Sequence, residues 1–490
     1  MASLLQLSHE LLHCIFIEVD PYDIPNLRLS CKDIDRYING NRLLHQCIYQ
    51  RRWDTPSTAV DWESEVHNSV KLNKILDSAD ANVKEANLTF VAGQIERLLN
   101  TASTQSEDSL NVKFLAERFD NAANVDAFLT SSSLFARAGT HPHRPVLQKA
   151  LQQTSAKLHC LYGFPITEFS SKTQLNDSPA AGTRQQTKAH QIHQYARSKV
   201  YDLREYTDDT LWGPFMNDGS QNVDWEKVEA ILVDLAYNTR RCYENARCCM
   251  PLQCNARFEG VTPNSFVEKL PEATAEEDEK MDEKSIKLRE LALQLDQQDP
   301  YGVTGTWLRV VCFLDYSELY HFNFNFEDNM RIDPSIARPP LDSPEGMLGV
   351  AECWRVVKIE PPGSHDDDEE EAGMDWSNFT GTRLPIVHFA GISQSLQFRH
   401  DTDANSRIRG TVRQTPEGEI RWTTFSIFHG EERWRSESVQ IGGLRSGRGV
   451  VGNWFDKDYS DTGPAGPTAF WKQSDKMGVS KALLTHLANR

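Results

Sequence analysis

The sequence has no long apolar run: no stretch approaches the ~20 apolar residues that a membrane-spanning helix needs. Glu10 and Glu18 interrupt the first apolar residues and no basic flank precedes them, so neither a membrane span nor an export signal is expected. Cysteine is thinly spread, ten in 490 residues with no C-x-x-C pair. A disulfide framework is therefore not expected, and the thiols fit a reducing intracellular compartment, cytoplasm or nucleus. Basic residues are outnumbered 52 to 70, for a net charge of -18. This argues against general nucleic-acid binding. Much of the imbalance sits in two runs, with seven acids and one lysine in residues 272–283 and six acids in 366–371. Residues 385–490 carry 14 bases against 11 acids and are mildly basic.

Also missing is any clean catalytic or metal-binding constellation. Cys242, Cys248, Cys249 and Cys254 cluster, but adjacent cysteines suit a tetrahedral zinc site poorly, and free thiols on or after a helix fit better. His141, His143, His190 and His193 have ligand-like spacings without an obvious third ligand, and are expected on loops and a helix surface. The glycine-rich stretch 442–449 lacks the Gly-Lys-Ser/Thr ending of a phosphate cradle and is expected to be a turn between strands. No enzyme activity, metal or cofactor is expected.

What is present is a globular composition, 39% hydrophobic and 25% charged, in a chain long enough for two or three units. Near the start, Ser8 can cap a helix whose stripe is Leu7, Leu11, Leu12, Ile15, Phe16 and Val19. Asp20-Pro21 is expected to stop that helix and open the next, whose stripe is Leu27, Cys31, Ile34 and Ile38. Residues 55–298 are expected to be mainly helical, with helical spacing over 88–99, 112–128 and 223–235. A loop is expected near 167–187 and an acidic connector near 272–287. From about residue 299 to 476 the texture becomes β: strands are expected at 307–314, 322–326, 353–359, 407–414, 420–428, 434–441 and 450–455. Thr415-Pro-Glu-Gly-Glu419 reads as a hairpin turn, an acidic insertion is expected near 361–376, and residues 477–490 form a tail. Short strands with glycine-rich turns suggest a closed antiparallel barrel, and the fold class is α+β.

Leu7-Ser-His-Glu-Leu-Leu-His-Cys-Ile-Phe16 followed by Leu27-Arg-Leu-Ser-Cys-Lys32 resembles the F-box, with Ser8 where the family has proline. The resemblance implies an F-box over residues 1–54 in which Leu7, Leu11, Ile15, Leu27 and Cys31 meet a Skp-type adaptor and, through it, cullin and RING subunits. Tyr206-Thr-Asp-Asp-Thr-Leu-Trp-Gly-Pro-Phe215, Gly302-Val-Thr-Gly-Thr-Trp307, Glu431-Glu-Arg-Trp-Arg-Ser436 and Gly463-Pro-Ala-Gly-Pro-Thr-Ala-Phe-Trp471 resemble blocks of a family of fungal F-box proteins. Gly305-Thr-Trp307 also resembles the opening strand of lipocalin-like barrels.

The implied function is the substrate-recognition subunit of an SCF-type cullin-RING ubiquitin ligase, whose barrel binds a protein substrate. A small-molecule-binding barrel attached to the adaptor is the alternative, and an enzyme of unknown chemistry comes third. Trp422, Trp434, Trp454 and Trp471, with Arg413, Arg421, Arg433, Arg435, Arg445 and Arg448, have the residue types of binding anchors. Equally, the tryptophans could fill the barrel while the arginines pair with Glu431, Glu432 and Glu437. Arg433, Trp434 and Arg435 are the expected substrate-facing segment, although strand alternation sends Trp434 to the face opposite its neighbours.

Overall fold

Helix formation begins where the sequence offers a cap. Ser8 adopts extended backbone and its hydroxyl accepts the Leu11 N–H at 3.4 Å, opening α1 (His9–Phe16). The computed structural model describes residues 7–103, 109–163, 192–244, 257–266, 299–325, 330–342, 347–359, 384–395 and 406–475. The expected loop near 167–187, the acidic segments near 272–287 and 361–376, and the tail from 477 lie outside the described residues, as do Cys248, Cys249, Cys254 and His190.

α1 ends before Asp20-Pro21, so that dipeptide neither stops it nor opens the next helix. Pro25 instead occupies the first turn of α2 (Ile24–Ser30). Cys31 is extended, with φ -160° and ψ 157°, and splits the expected second stripe between α2 and α3 (Lys32–Ile38). With α4 (Arg42–Gln50), these helices bury Leu12, Phe16, Ile34, Ile38, Leu44 and Ile48. Tyr37 joins α3 to α1: its hydroxyl donates to the His9 carbonyl at 3.1 Å while its ring lies 5.4 Å from that of Phe16.

A helical layer follows: α5 (Trp62–Asp77), α6 (Ala81–Ala86), α7 (Leu88–Asn100), α8 (Leu110–Arg118), α9 (Ala122–Leu129), α10 (Ser133–Arg137), α11 (Lys149–Tyr162), α12 (192–200) and α13 (Trp225–Glu244). The expected helix over 112–128 is really two. Phe119 leaves helical geometry, and Asn121 starts α9 by accepting the Ala123 N–H at 2.9 Å.

The C-terminal part is an antiparallel sheet of β1 (Gly305–Phe313), β2 (Met347–Ile359), β3 (Val387–Ser395), β4 (Ser406–Gln414), β5 (Ile420–Phe428), β6 (Glu431–Gln440), β7 (Val450–Asp456) and β8 (Ala465–Ser474). Each strand pairs with its successor, and β8 pairs with β1. In the stretch expected as a strand at 322–326, Phe322 and Asn323 instead end α14 (Tyr316–Asn323) and Phe324 sits in an isolated bridge, while Phe326 lies outside the described residues. Local capping outcompetes the alternating phenylalanines here. Asp315 accepts the Ser317 and Glu318 N–H groups at 2.9 and 3.4 Å, and Tyr320 stacks on Phe324 one turn on, at 4.7 Å. The turn after β4 closes as expected, with Gly418 at φ +92° and the Thr415 N–H donating to Glu419 at 2.7 Å.

Alternation sorts the two faces of the sheet. The concave face gathers Trp307, Trp354, Phe389, Ile408, Trp422 and Phe470 into one apolar cluster. On the convex face, Val310, Val439, Val451, Phe455 and Ala469 belong to the same core as the helices, with α13 lying against β2, β7 and β8. β7 is therefore buried on both faces, whereas β4 alternates buried and exposed along its first half.

Candidate functional site

The first candidate is the outer face of the N-terminal helices. A helix that packs by one stripe leaves the opposite stripe to solvent. In α1 the stripe Leu12 and Phe16 faces the core, while Leu11 and Ile15, one turn apart on another face, remain 53% and 41% exposed. Leu29 on α2 and Leu43 on α4 are exposed by 86% and 60%. Leu7, Leu27 and Cys31 are partly buried and pack against the core. Sequence reasoning missed Leu29 and Leu43. Leu29 lies inside the Leu27–Lys32 block, and a helical wheel would have shown it off the Ile24 and Leu27 stripe.

The second candidate is one end of the sheet. Trp307, Trp354, Phe389, Trp422 and Phe470 fill the opposite end with ring contacts of 5.1–5.7 Å, from Trp307 to Trp422 and Phe470 and from Phe389 to Trp422. Towards the second end the concave face turns polar: Ser393, Thr424, Ser426, Ser436, Ser438 and Thr468 are all buried. Among them sits buried Arg309, whose Nε donates to Thr468 Oγ1 at 3.0 Å while its guanidinium lies 4.8 Å over the Trp354 ring.

Arg433, Trp434 and Arg435 lie at the rim of that end, after the β5–β6 turn. The β5–β6 register shifts between Ser426 and Ile427, whose partners are Trp434 and Glu432, so Arg433 is the bulged residue. Its exposed guanidinium lies 5.4 Å over the Trp434 ring, which meets the Trp454 ring edge-on at 5.3 Å. Arg435 is engaged differently. Its Nη2 donates to the buried Glu437 carboxylate at 2.7 Å, on the convex face, and Arg421 Nε donates to the same carboxylate at 2.8 Å. Burial alone would raise the Glu437 pKa, but Arg421, Arg435 and their hydrogen bonds hold it below the ordinary value.

The other arginines and tryptophans are structural partners. Arg445 donates to the Pro300 and Asp299 carbonyls at 3.0 and 2.6 Å, Arg448 donates to the Glu259 carbonyl at 3.0 Å, and Arg409 pairs with Glu432. Arg413 is buried, Trp422 belongs to the concave cluster, and Trp471 packs on the convex core. The Gly442–Gly449 stretch is a turn, with positive φ at Gly442, Gly443 and Gly449.

The block Tyr206–Phe215 covers the Arg421–Glu437–Arg435 group. Gly213 lies so close that a Cβ there would come within 2.6 Å of Glu437 Cβ, and Trp212 packs at 5.5 Å on Phe455. Two blocks separated by more than 200 residues thus meet at one buried carboxylate.

Of the histidines, His141 contacts Thr130 Oγ1 at 2.9 Å and His143 is exposed. His193 is not on a helix surface as expected. It is buried on α12 and stacked 3.5 Å from Tyr237, because α12 is covered by α13. Among the described residues no group of three or more His, Cys, Asp or Glu side chains is assembled to hold a metal, and no helix is long and apolar enough to cross a membrane. No protein-family model, curated protein or solved structure matches the chain.

Proposed function

We propose that the chain is the substrate-recognition subunit of an SCF-type cullin-RING ubiquitin ligase. Its F-box-like helices dock on a Skp-type adaptor, and its sheet, a closed lipocalin-like barrel, holds a protein substrate. The protein transfers nothing itself and contributes proximity in the cytoplasm or nucleus.

The observation that carries this reading is the split of α1 into two uses. Leu12 and Phe16 anchor the fold while Leu11 and Ile15 face solvent in the block that resembles an F-box. Leu11, Ile15, Leu29 and Leu43 together leave roughly two and a half aliphatic side chains to bury, about 4 to 7 kcal/mol of gross driving force before association costs. The bulged Arg433 on Trp434 supplies a cationic and aromatic rim at the polar end of the barrel.

The test is affinity capture of the full chain, followed by mass spectrometry for adaptor and cullin. The double variant Leu11→Asp, Ile15→Asp removes two anchors without touching the core. It should lose the adaptor while keeping the wild-type circular dichroism. Undiminished adaptor recovery by that variant would sink the assignment.

A second reading, a small-molecule-binding barrel, is favoured by the buried hydroxyl row and by Ser438, whose Oγ has no hydrogen-bond partner among the described residues. Native mass spectrometry separates the two: a retained small ligand supports the second reading, and a bare chain with captured proteins supports the first.

A further inference from the structure

A cleft of about 310 Å³ opens between the starts of α11 and α13, the end of α12 and the segment Pro334–Arg338, with Gly213 and Phe215 of the block over Glu437 also in its wall. Its lining carries six cations, Arg137, Lys149, Lys199, Arg204, Lys227 and Arg338, against four acids, Asp202, Glu205, Asp224 and Glu226. In a chain of net charge -18 this is a local excess of positive charge.

Three of the acids are already engaged. Asp202 receives Arg204 at 2.8 and 2.9 Å, and Glu226 accepts the Ser133 N–H at 2.6 Å. Asp224 accepts Gln153 Nε2 at 2.7 Å and the Lys227 N–H at 3.1 Å. Several cationic donors are left over. Buried Lys227 makes no ion pair among the described residues, and two of its three Nζ protons go to the Lys199 and Val200 carbonyls at 2.8 and 3.3 Å. Lys149 is exposed at the start of α11, whose cap residue Gln148 makes no side-chain capping bond. Lys199 approaches Asp224 only to 3.8 Å.

A second observation points to a missing partner. Ser198 lines the cleft and is fully buried, yet its hydroxyl has no hydrogen bond among the described residues. Buried polar groups are ordinarily paired, and an orphan at the edge of a charged cleft marks where a ligand atom would pair with it. Burial also lowers the Lys227 pKa to about 8, despite the nearby acids. A bound anion would relieve that strain on the ammonium.

We propose that this cleft binds a phosphate monoester, its oxygens taken by Ser198 Oγ, the Nζ groups of Lys227, Lys199 and Lys149, and the uncapped N–H groups at the start of α11. A carboxylate offers two oxygens in one plane, whereas these donors approach from three helices and suit a tetrahedral dianion. The volume accommodates the phosphate and the group that carries it.

The test uses the full chain and calorimetric titration with inorganic phosphate, capped phosphoserine (N-acetyl, C-terminal amide), glycerol 3-phosphate, and acetate as control. Both esters should bind and acetate should not. Tighter capped phosphoserine assigns the monoester to a modified protein, and tighter glycerol 3-phosphate assigns it to a small metabolite. Lys149→Gln with Lys199→Gln should weaken ester binding about tenfold or more. Ser198→Ala provides the fold-safe control: the hydroxyl has no partner to lose, so thermal stability should hold while ester affinity falls severalfold. Absence of ester binding, binding of inorganic phosphate alone, or unchanged affinity in these variants overturns the proposal.

Discussion

Replacing Glu437 by glutamine should be among the most damaging single changes available on the sheet. Its carboxylate is fully buried and accepts Arg421 Nε at 2.8 Å, Arg435 Nη2 at 2.7 Å and Thr423 Oγ1 at 3.0 and 3.1 Å. The amide in E437Q would keep the shape but remove the charge, leaving the buried Arg421 guanidinium uncompensated. Breaking a buried pair from one side costs about 3 to 5 kcal/mol, because the stranded charge stays out of water. Urea unfolding, followed by tryptophan fluorescence and circular dichroism, measures the loss. A decrease under about 1 kcal/mol would refute the view that this carboxylate neutralises the two arginines. Acid titration gives an independent check. The folded carboxyl lies below its ordinary 4.5, so its stabilisation is present above that pH and is lost as pH falls through the folded value. E437Q should therefore flatten the acid limb of the stability curve while leaving its alkaline limb unchanged.

Gly213→Ala should lower the unfolding free energy by about 1 to 3 kcal/mol, since its Cβ would meet Glu437 Cβ at 2.6 Å and the Phe215 ring at 2.9 Å. An unchanged stability would mean that Tyr206–Phe215 is not seated on the sheet. Arg433→Ala and Arg435→Ala should separate binding from stability. The first removes an exposed bulge residue and should stay within about 0.5 kcal/mol of wild type while changing the captured substrate set. The second breaks a hydrogen-bonded ion pair to a buried carboxylate and should cost about 1.5 to 3 kcal/mol. Equal destabilisation by the two, or an unaltered substrate set with Arg433→Ala, would remove this segment from the recognition site.

Legibility in the sequence followed how local the deciding physics was. The cap at Ser8, the helix 88–99 and the hairpin around Gly418 are set by neighbours a few residues away, and residue patterns locate them closely. β3 and β8 were not legible as strands. β3 has alanine and glycine at its centre, and β8 contains Gly466-Pro467, so both score poorly by local propensity and are held by their ladders. The reverse holds at Phe322, where period-two aromatics suggest a strand but the Asp315 cap makes the helix. The arginines show the limit most clearly. Counting them near tryptophans could not divide Arg435 from Arg433, since what separates them is Glu437 two residues on and a bulge fixed by β5. Nor could any local pattern bring Gly213 onto Glu437, a contact spanning more than 200 residues. Residue type therefore indicates which side chains could bind, while long-range packing decides which remain free to do so. On that ground Arg433, rather than the arginine-rich stretch as a whole, is where a substrate contact should be sought first.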